Sequence, residues 1–254
     1  MNIDKKYYQE INENLTNTIQ DTNISAPNKK VGKVRDAYFL NDKVVMISTD
    51  RQSAFDRVLA AIPYKGAVLN SVSAWWFKKT EHLFPNHLIS TPDPNVSIVE
   101  KCTVFPVEFV VRGYITGTTD TSLWTVYNNG DREYCGNSLP EGLKKNDKLD
   151  KPMLTPTTKD KVHDRPVSRE EIIDLGLMSA EDYDLAAKMS LDLFAFGQET
   201  AKKNGLILVD TKYEIGTDSK GKIKFVDEIH TPDSYQVYVS VSYTHLTLPT
   251  ILLV

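Results

Sequence analysis

The residues best suited to chemistry lie near the C-terminal end of the sequence, in two stretches that read as a hairpin. In GLILVDTKYEIG, residues 205–216, strand alternation from Val209 onward sends Asp210, Lys212 and Glu214 to one side. Val209, Thr211, Tyr213 and Ile215 go to the other. Asp218, Ser219 and Gly221 supply turn chemistry, and KIKFV returns as a second strand that ends at Asp227 and Glu228. Carboxylates gathered around one lysine suit magnesium and a polyphosphate. Magnesium takes oxygen from a few carboxylates and completes its shell with phosphate and water, while the ammonium offsets phosphate charge. A solvated strand face is the alternative reading of the same pattern.

Four further clusters carry polar groups where a ligand could use them. In Lys30-Val31-Gly32-Lys33-Val34-Arg35-Asp36, one glycine lets backbone approach a ligand and two cations follow, a pattern that can hold phosphates but also occurs in surface turns. It is neither a Walker A loop nor a dinucleotide fingerprint. Ser48 to Asp56, STDRQSAFD, follows the apolar run KVVMI and would sit at a strand end, as a site or as a turn whose Asp and Ser cap the backbone. Arg112-Gly113-Tyr114-Ile115-Thr116-Gly117-Thr118-Thr119 ends an apolar strand with a guanidinium, which needs a partner there and offers a bidentate fork to an anion. The fourth cluster, Thr155 to Lys159 with His163-Asp164-Arg165, lies on a loop too polar to pack itself, a lid or an exposed loop. The histidines, His82, His87, His163, His230 and His245, match no zinc motif.

The elements that must position these groups are those of an ordinary globular chain. With 254 residues, 41% hydrophobic and 25% charged, it can bury one large core or two packed lobes. A net charge of -4 gives no footprint for nucleic acid or an anionic membrane. The two cysteines, Cys102 and Cys135, form no CxxC pair, which favours a reduced cytoplasmic protein. The start, MNIDKKYYQEINENL, has neither the apolar core of a secretory signal nor the character of a transit peptide, and no segment reads as membrane-spanning.

Tyr7, Ile11, Leu15 and Ile19 predict a docking helix over residues 4–20. KVRDAYFL and KVVMIST predict strands joined by a turn at Asn41-Asp42. GAVLNSVSAWWFKKTEHLF predicts an amphipathic helix with Leu69, Val72, Trp75 or Trp76, and Phe77 on its buried face. TPDPNVSIVE reads as a proline-rich connection into CTVFPVEFVVRGYI, a buried strand. SREEIIDLGL begins with a Ser-x-x-Glu capping box. The longest helix runs from a cap at Ser179 to a stop at Gly205. These elements divide the chain into an N-terminal β-rich lobe, 1–105, an α+β lobe, 106–234, and a residual tail, 235–254.

Taken in order, GKVRD, STDRQSAFD, KGAVLN, PVEFVVRGYITGT, TPTTK, GLILVDTKYEIG and VDEIHTPDS closely resemble the phosphoribosylaminoimidazole-succinocarboxamide synthase family, the SAICAR synthetases of purine biosynthesis, from about Gly32 to Ser234. The resemblance implies a two-lobed α+β fold distantly similar to protein kinases, with ATP and magnesium in the interlobe cleft. The reaction it implies joins L-aspartate to the carboxylate of the imidazole nucleotide CAIR, giving SAICAR, ADP and phosphate. By the same resemblance, Gly32, Lys33 and Arg35 hold the ATP phosphates, and Val104 and Phe105 form the adenine hinge through their backbone. Arg112 and Thr118 contact the substrate nucleotide, Lys159, His163 and Asp164 lie in the substrate loop, and Asp50, Ser53 and Asp56 line the cleft. Lys212 and Glu214 match the catalytic strand. Asp227 matches the magnesium ligand, with Glu214 beside it. The implied partners are the small molecules ATP, CAIR and aspartate; a homo-oligomer is compatible with the sequence but not set by it.

Such a ligase works by activating a poor acyl donor. ATP phosphorylates the carboxylate and the aspartate amine displaces phosphate, so catalysis rests on positioning and charge screening and needs no protein nucleophile. A small-molecule kinase would use similar carboxylates and cations. The resemblance breaks after TPDS: where the family continues with a serine and a phosphate-associated arginine, this chain has Tyr235-Gln236. Residues 235–254 contain no Lys, Arg, Asp or Glu. That composition reads as a foreign or frame-shifted tail on a truncated family member, with an adhesive edge strand in VYVSVSYT and reduced or lost activity as its consequence, or as a native variant ending.

Overall fold

The computed structural model describes residues 5–26, 28–54, 57–159 and 165–239. Over these, the chain divides into two compact units, Met1–Lys79 with His87–Lys101, and Thr80–Asn86 with Cys102–Val254. The last crossing between the units falls at Lys101/Cys102, a few residues before the 105/106 boundary read from the sequence, and residues 80–86, read as part of the first lobe, go with the second unit. The long apolar strand that starts at Thr103 is unbroken and belongs wholly to the second unit.

The first unit opens with α1 (Lys5–Glu13). The helix is shorter than the 4–20 expected, because asparagine competes for the backbone groups the next turn needs. Asn14 Nδ2 donates to the Glu10 carbonyl and the Asn17 N–H to that of Asn14, both at 2.9 Å. Tyr7, Ile11, Leu15 and Ile19 all remain exposed. Then come β1 (Lys29–Val31), β2 (Arg35–Phe39), β3 (Lys43–Ser48), β4 (Arg51–Ala54), β5 (Arg57–Ala61), α2 (Lys65–Thr80), β6 (Leu88–Asp93) and β7 (Val96–Glu100). Five strands form an antiparallel sheet in the order β1-β2-β3-β7-β6, and β4 pairs with β5 in a separate hairpin. The β2–β3 turn lies at Asn41-Asp42 as expected. TPDPNVSIVE is more than a connection: it holds the end of β6, a turn at Pro94-Asn95, and β7. Pro92 is tolerated because β6 is an edge strand. Helix α2 buries Leu69 and Phe77 and half-buries Val72 and Trp76, leaving Trp75 exposed.

The second unit contains β8 (Thr103–Tyr114), α3 (Leu123–Asn128), β9 (Glu133–Tyr134), β10 (Asn137–Ser138), β11 (Lys148–Leu154), β12 (Thr157–Thr158), α4 (Arg169–Asp174), α5 (Ala180–Lys203), β13 (Leu206–Thr217), β14 (Ile223–Val226) and β15 (Tyr235–Val239). β8 and β13 pair at the middle of a six-stranded sheet. β11 and β12 flank β8, while β14 and β15 share the far edge of β13, at Glu214–Thr217 and Leu206–Thr211 respectively. Helix α5 packs on the sheet at β13 and β8. Val107, Phe109 and Val111 of β8, Val209, Tyr213 and Ile215 of β13, and Leu193 and Phe194 of α5 are all inaccessible to solvent. Burial of side chains this size is the main stabilising term, about 1.5–3 kcal/mol for each.

Both helix signatures hold. Ser168 and Glu171 complete the capping box of α4, and the Ser179 side chain accepts from the Asp182 N–H at the start of α5. Gly205, with φ of +70°, lies just past its end. Gly216 is required by a close approach, since a Cβ there would lie 2.6 Å from the Thr103 carbonyl oxygen of β8. The first residues of the uncharged tail form β15, paired to β13; residues 240–254 lie outside the described residues. Among the described residues no helix is long and apolar enough to cross a membrane.

Candidate active site

One face of the β8–β13 pair is apolar and packed, so strand alternation puts the charged residues of both strands on the other. Register sets Asp210 opposite Arg112, Lys212 opposite Val110, and Glu214 opposite Glu108. Lys212 Nζ donates to Glu108 Oε1 at 2.8 Å and to Glu214 Oε1 at 3.2 Å, and Lys159 pairs with Glu214 Oε2. The backbone N–H of Lys159 is tied to the Pro106 carbonyl at 3.1 Å, which brings the 155–159 segment alongside β8. Burial opposes the charge on Lys212, but Glu214, Glu108 and Asp227 outweigh it and raise its pKa. Burial likewise pushes Glu214 upward, and Lys212 and Lys159 hold it below the usual carboxylate range. Lys212 and Glu214 therefore each hold the other in its charged form.

Asp227 follows β14 directly, next to the Val226 that pairs with Glu214. Its φ of +63° lies in the left-handed region, which Asp and Asn tolerate better than most residues. The segment behind it is anchored by His230, a buried ring whose Nε2 lies 2.6 Å from the Tyr213 hydroxyl. Burial depresses the His230 pKa to about 3, so the imidazole is neutral at physiological pH.

At the other end of the row, Arg112 Nε donates to Thr155 Oγ1 at 2.9 Å, and its Nη1 lies 3.9 Å from Asp210 Oδ2. Burial raises the Asp210 pKa to about 6, against the opposing pull of Arg112 and of the Gln236 N–H. Thr118 is exposed on the loop after β8. Val104 is exposed and Phe105 half-buried at the start of β8, beside a register shift between Glu214 and Gly216.

The remaining expected residues belong to the first unit. Gly32 and Lys33 are exposed in the β1–β2 turn and Arg35 begins β2. Gly32 closes this turn: its N–H donates to the Arg35 carbonyl at 2.7 Å, and a Cβ would lie 2.7 Å from the same oxygen. Asp50 is buried with both oxygens engaged, Oδ2 by the Ile19 N–H at 2.8 Å and Oδ1 by the Gly66 N–H at 2.9 Å. This is the backbone-capping role that competed with a ligand role in the sequence. Ser53 is half-buried in β4 opposite Val58. Asp56, His163 and Asp164 lie outside the described residues.

Three comparisons with known proteins bear on this arrangement. The family model described as SAICAR synthetase matches residues 28–249. The chain belongs to the SAICAR synthetase family. It is 57% identical over 225 residues to the phosphoribosylaminoimidazole-succinocarboxamide synthase of Legionella pneumophila (strain Lens), a match covering 89% of this chain and 72% of that one. Its fold is similar to the SAICAR-synthase from Saccharomyces cerevisiae complexed with SAICAR, with a TM-score of 0.77, 31% identity, and coverage of 89% and 81%. It is also similar to a type-2 SAICAR synthetase in complex with ADP, with a TM-score of 0.71, 26% identity, and 84% of each chain covered. The SAICAR synthetase match extends past Ser234, where the motif resemblance ends, and takes in β15.

Sequence reasoning missed Glu108, and placed Thr155 and Arg51 in polar clusters without giving either a role of its own. Glu108 could have been found by alternation, because Glu108 and Arg112 share a face of β8 in an otherwise apolar run. The roles of Thr155 and Arg51 could not be read locally, since their partners are remote in sequence. No group of three or more His, Cys, Asp or Glu suited to a metal occurs among the described residues. Magnesium does not need one, because one or two carboxylates with phosphate and water suffice, so Asp227 with Glu214 fits its donor preferences.

Proposed function

We propose that this SAICAR synthetase is an ATP-dependent ligase that joins the amine of L-aspartate to the carboxylate of CAIR, releasing ADP and phosphate. The observation that carries the reading is the ordered charge row of the second unit, Arg112 and Asp210 followed by Glu108, Lys212, Glu214 and Lys159, with Asp227 beside it. The family's chemistry asks for such a row, in which charges are positioned and no nucleophile is present.

The CAIR carboxylate attacks the γ-phosphorus and ADP leaves. The aspartate amine, as the free base, then attacks the acyl carbon; the C–N bond forms, the acyl C–O bond breaks, phosphate departs with the bridging oxygen, and the nitrogen gives up one proton to solvent. Gly32, Lys33 and Arg35 hold the polyphosphate through backbone donors and cationic charge, and the backbone at Val104 and Phe105 holds the base. Arg112, held at Nε by Thr155, presents its fork to an anionic group of the nucleotide substrate, with Thr118 nearby in sequence as a hydroxyl donor. Lys212 and Lys159 present ammonium charge to the transferring phosphoryl group, and Glu108 and Glu214 hold them in place. Magnesium, when bound, would be held by Asp227 with Glu214 and would screen phosphate charge. Asp50, Ser53, Asp56, His163 and Asp164 complete the substrate contacts in this reading. For Asp50 that contact is restricted to whatever its two backbone bonds leave open.

The test is phosphate release from purified protein supplied with ATP, magnesium and CAIR, with and without aspartate. Phosphate release that requires aspartate and matches SAICAR formed is expected. Transfer of the γ-phosphate to a stable product without aspartate would replace the ligase with a small-molecule kinase.

A further inference from the structure

The β1–β2 turn is fixed by a buried arginine from β4. Arg51, only 8% exposed, opens β4 and spends its guanidinium on main-chain carbonyls. Nε donates to the Lys33 carbonyl at 3.0 Å, Nη2 to that of Gly32 at 2.9 Å, and Nη1 to that of Gln20 at 2.7 Å. Nη2 also lies 2.7 Å from Asp36 Oδ1. Asp36 is inaccessible to solvent and is braced in turn by the Thr22 hydroxyl at 2.7 Å and Lys29 Nζ at 3.0 Å. The next carbonyl, of Val34, accepts both the N–H and the hydroxyl of the buried Thr49, at 2.9 and 2.8 Å. Three successive carbonyls, of Gly32, Lys33 and Val34, thus point at buried donors.

A trans peptide is planar, with its C=O and N–H directed oppositely. Turning the Gly32 and Lys33 carbonyls onto Arg51 therefore turns the N–H groups of Lys33 and Val34 away from it. The β-ladder alone does not ask for this, since β1 and β2 already pair up to Val31 opposite Asp36. Only arginine supplies so many coplanar donors; a lysine would lose the fork.

We propose that Arg51, braced by Asp36, is a positioning residue that sets the Gly32–Val34 turn in the conformation that takes the ATP phosphates. The inference rests on the ligase reading, in which this turn holds the polyphosphate. It adds what fixes the turn.

Titration calorimetry of ADP and, separately, of CAIR into the full chain tests it, with thermal melts to certify folding. Arg51→Lys is expected to weaken ADP about tenfold or more and leave CAIR within about twofold, because several charge-assisted bonds to the turn are lost. Thr49→Val removes one hydroxyl bond to the Val34 carbonyl and covers the case in which Arg51→Lys does not fold. It should weaken ADP roughly three- to fivefold. If the folded variants bind ADP as the unmodified chain does, or lose ADP and CAIR affinity together, Arg51 is merely structural and the inference falls. An unmodified chain that binds CAIR or neither ligand, but no ADP, overturns the ligase reading and takes the inference with it.

Discussion

Glu108 and Glu214 stand directly opposite each other across the β8–β13 ladder. Like charges so placed are destabilising, yet here they share one ammonium, that of Lys212, and Glu214 carries Lys159 as well. Removing that ammonium leaves two facing carboxylates. Lys212→Met is therefore expected to abolish turnover and to lower stability by about 1–2 kcal/mol, a value reduced because Lys212 is a third exposed. Mild acid should partly restore the stability by protonating one carboxylate. Melting temperatures at about pH 5 and 7 check this, and a loss that acid does not relieve would mean the pair is not coupled through Lys212.

Asp227→Asn keeps a residue type that accepts the positive φ observed there, so the fold should be retained. The amide lacks the charge that would hold magnesium, and turnover is expected to fall on the order of a hundred- to a thousandfold, most at limiting magnesium. Near-normal rates in the folded variant would move the metal role away from Asp227.

Arg112→Lys keeps the charge and loses both the planar fork and the Nε bond to Thr155. The concentration of CAIR needed for half-maximal rate should rise far more than that of ATP. Steady-state kinetics with each substrate varied in turn settle it, and a change confined to ATP would reassign Arg112.

Asp210 makes stability depend on pH. Its folded pKa, about 6, lies above the ordinary 3.8, so the folded state binds the proton more tightly. Its contribution to stability is full below about pH 4 and is lost as the pH rises through 6, about 3 kcal/mol in all. Asp210→Asn lacks this term, so the parent's stability relative to the variant should fall between about pH 4 and 6 and stay level above. His230 has the opposite sign in both proteins, its stability being lost as pH falls from 6.5 toward 3, and cancels in the comparison. Urea unfolding of both proteins across that range would show a constant difference if Asp210 were not desolvated.

What the sequence made legible depended on how local its cause was. The faces of β13, the caps of α4 and α5 at Ser168 and Ser179, and the turn at Asn41-Asp42 are written within a few residues, and each stands in the structure as read. Strand β7 and the end of β6 were hidden by Pro92 and Pro94, which signal a connection unless the strand's place at a sheet edge is known. Helix α1 was overextended because its apolar spacing continues past the asparagines that end it. Among the site residues, Lys212 and Glu214 were legible from alternation. Glu108 was not, because its meaning comes from a lysine 104 positions away. Asp50 read equally as a ligand or a cap, and the backbone N–H groups that occupy it come from elements 31 positions before it and 16 after it.

That separation of 104 positions has a kinetic consequence. The β13–β14 hairpin, which carries Lys212, Glu214 and Asp227, closes over a short turn and can form early. Glu108 and Arg112 reach it only when β8 pairs with β13, after a loop of about a hundred residues has been closed, and such non-local pairing is slow. In a refolding chain, half of the charge row can thus form locally before the other half joins it. In refolding, a ligand that needs Arg112 together with Lys212 will report the last long-range step, whereas far-UV signals will report the hairpin and helices that precede it.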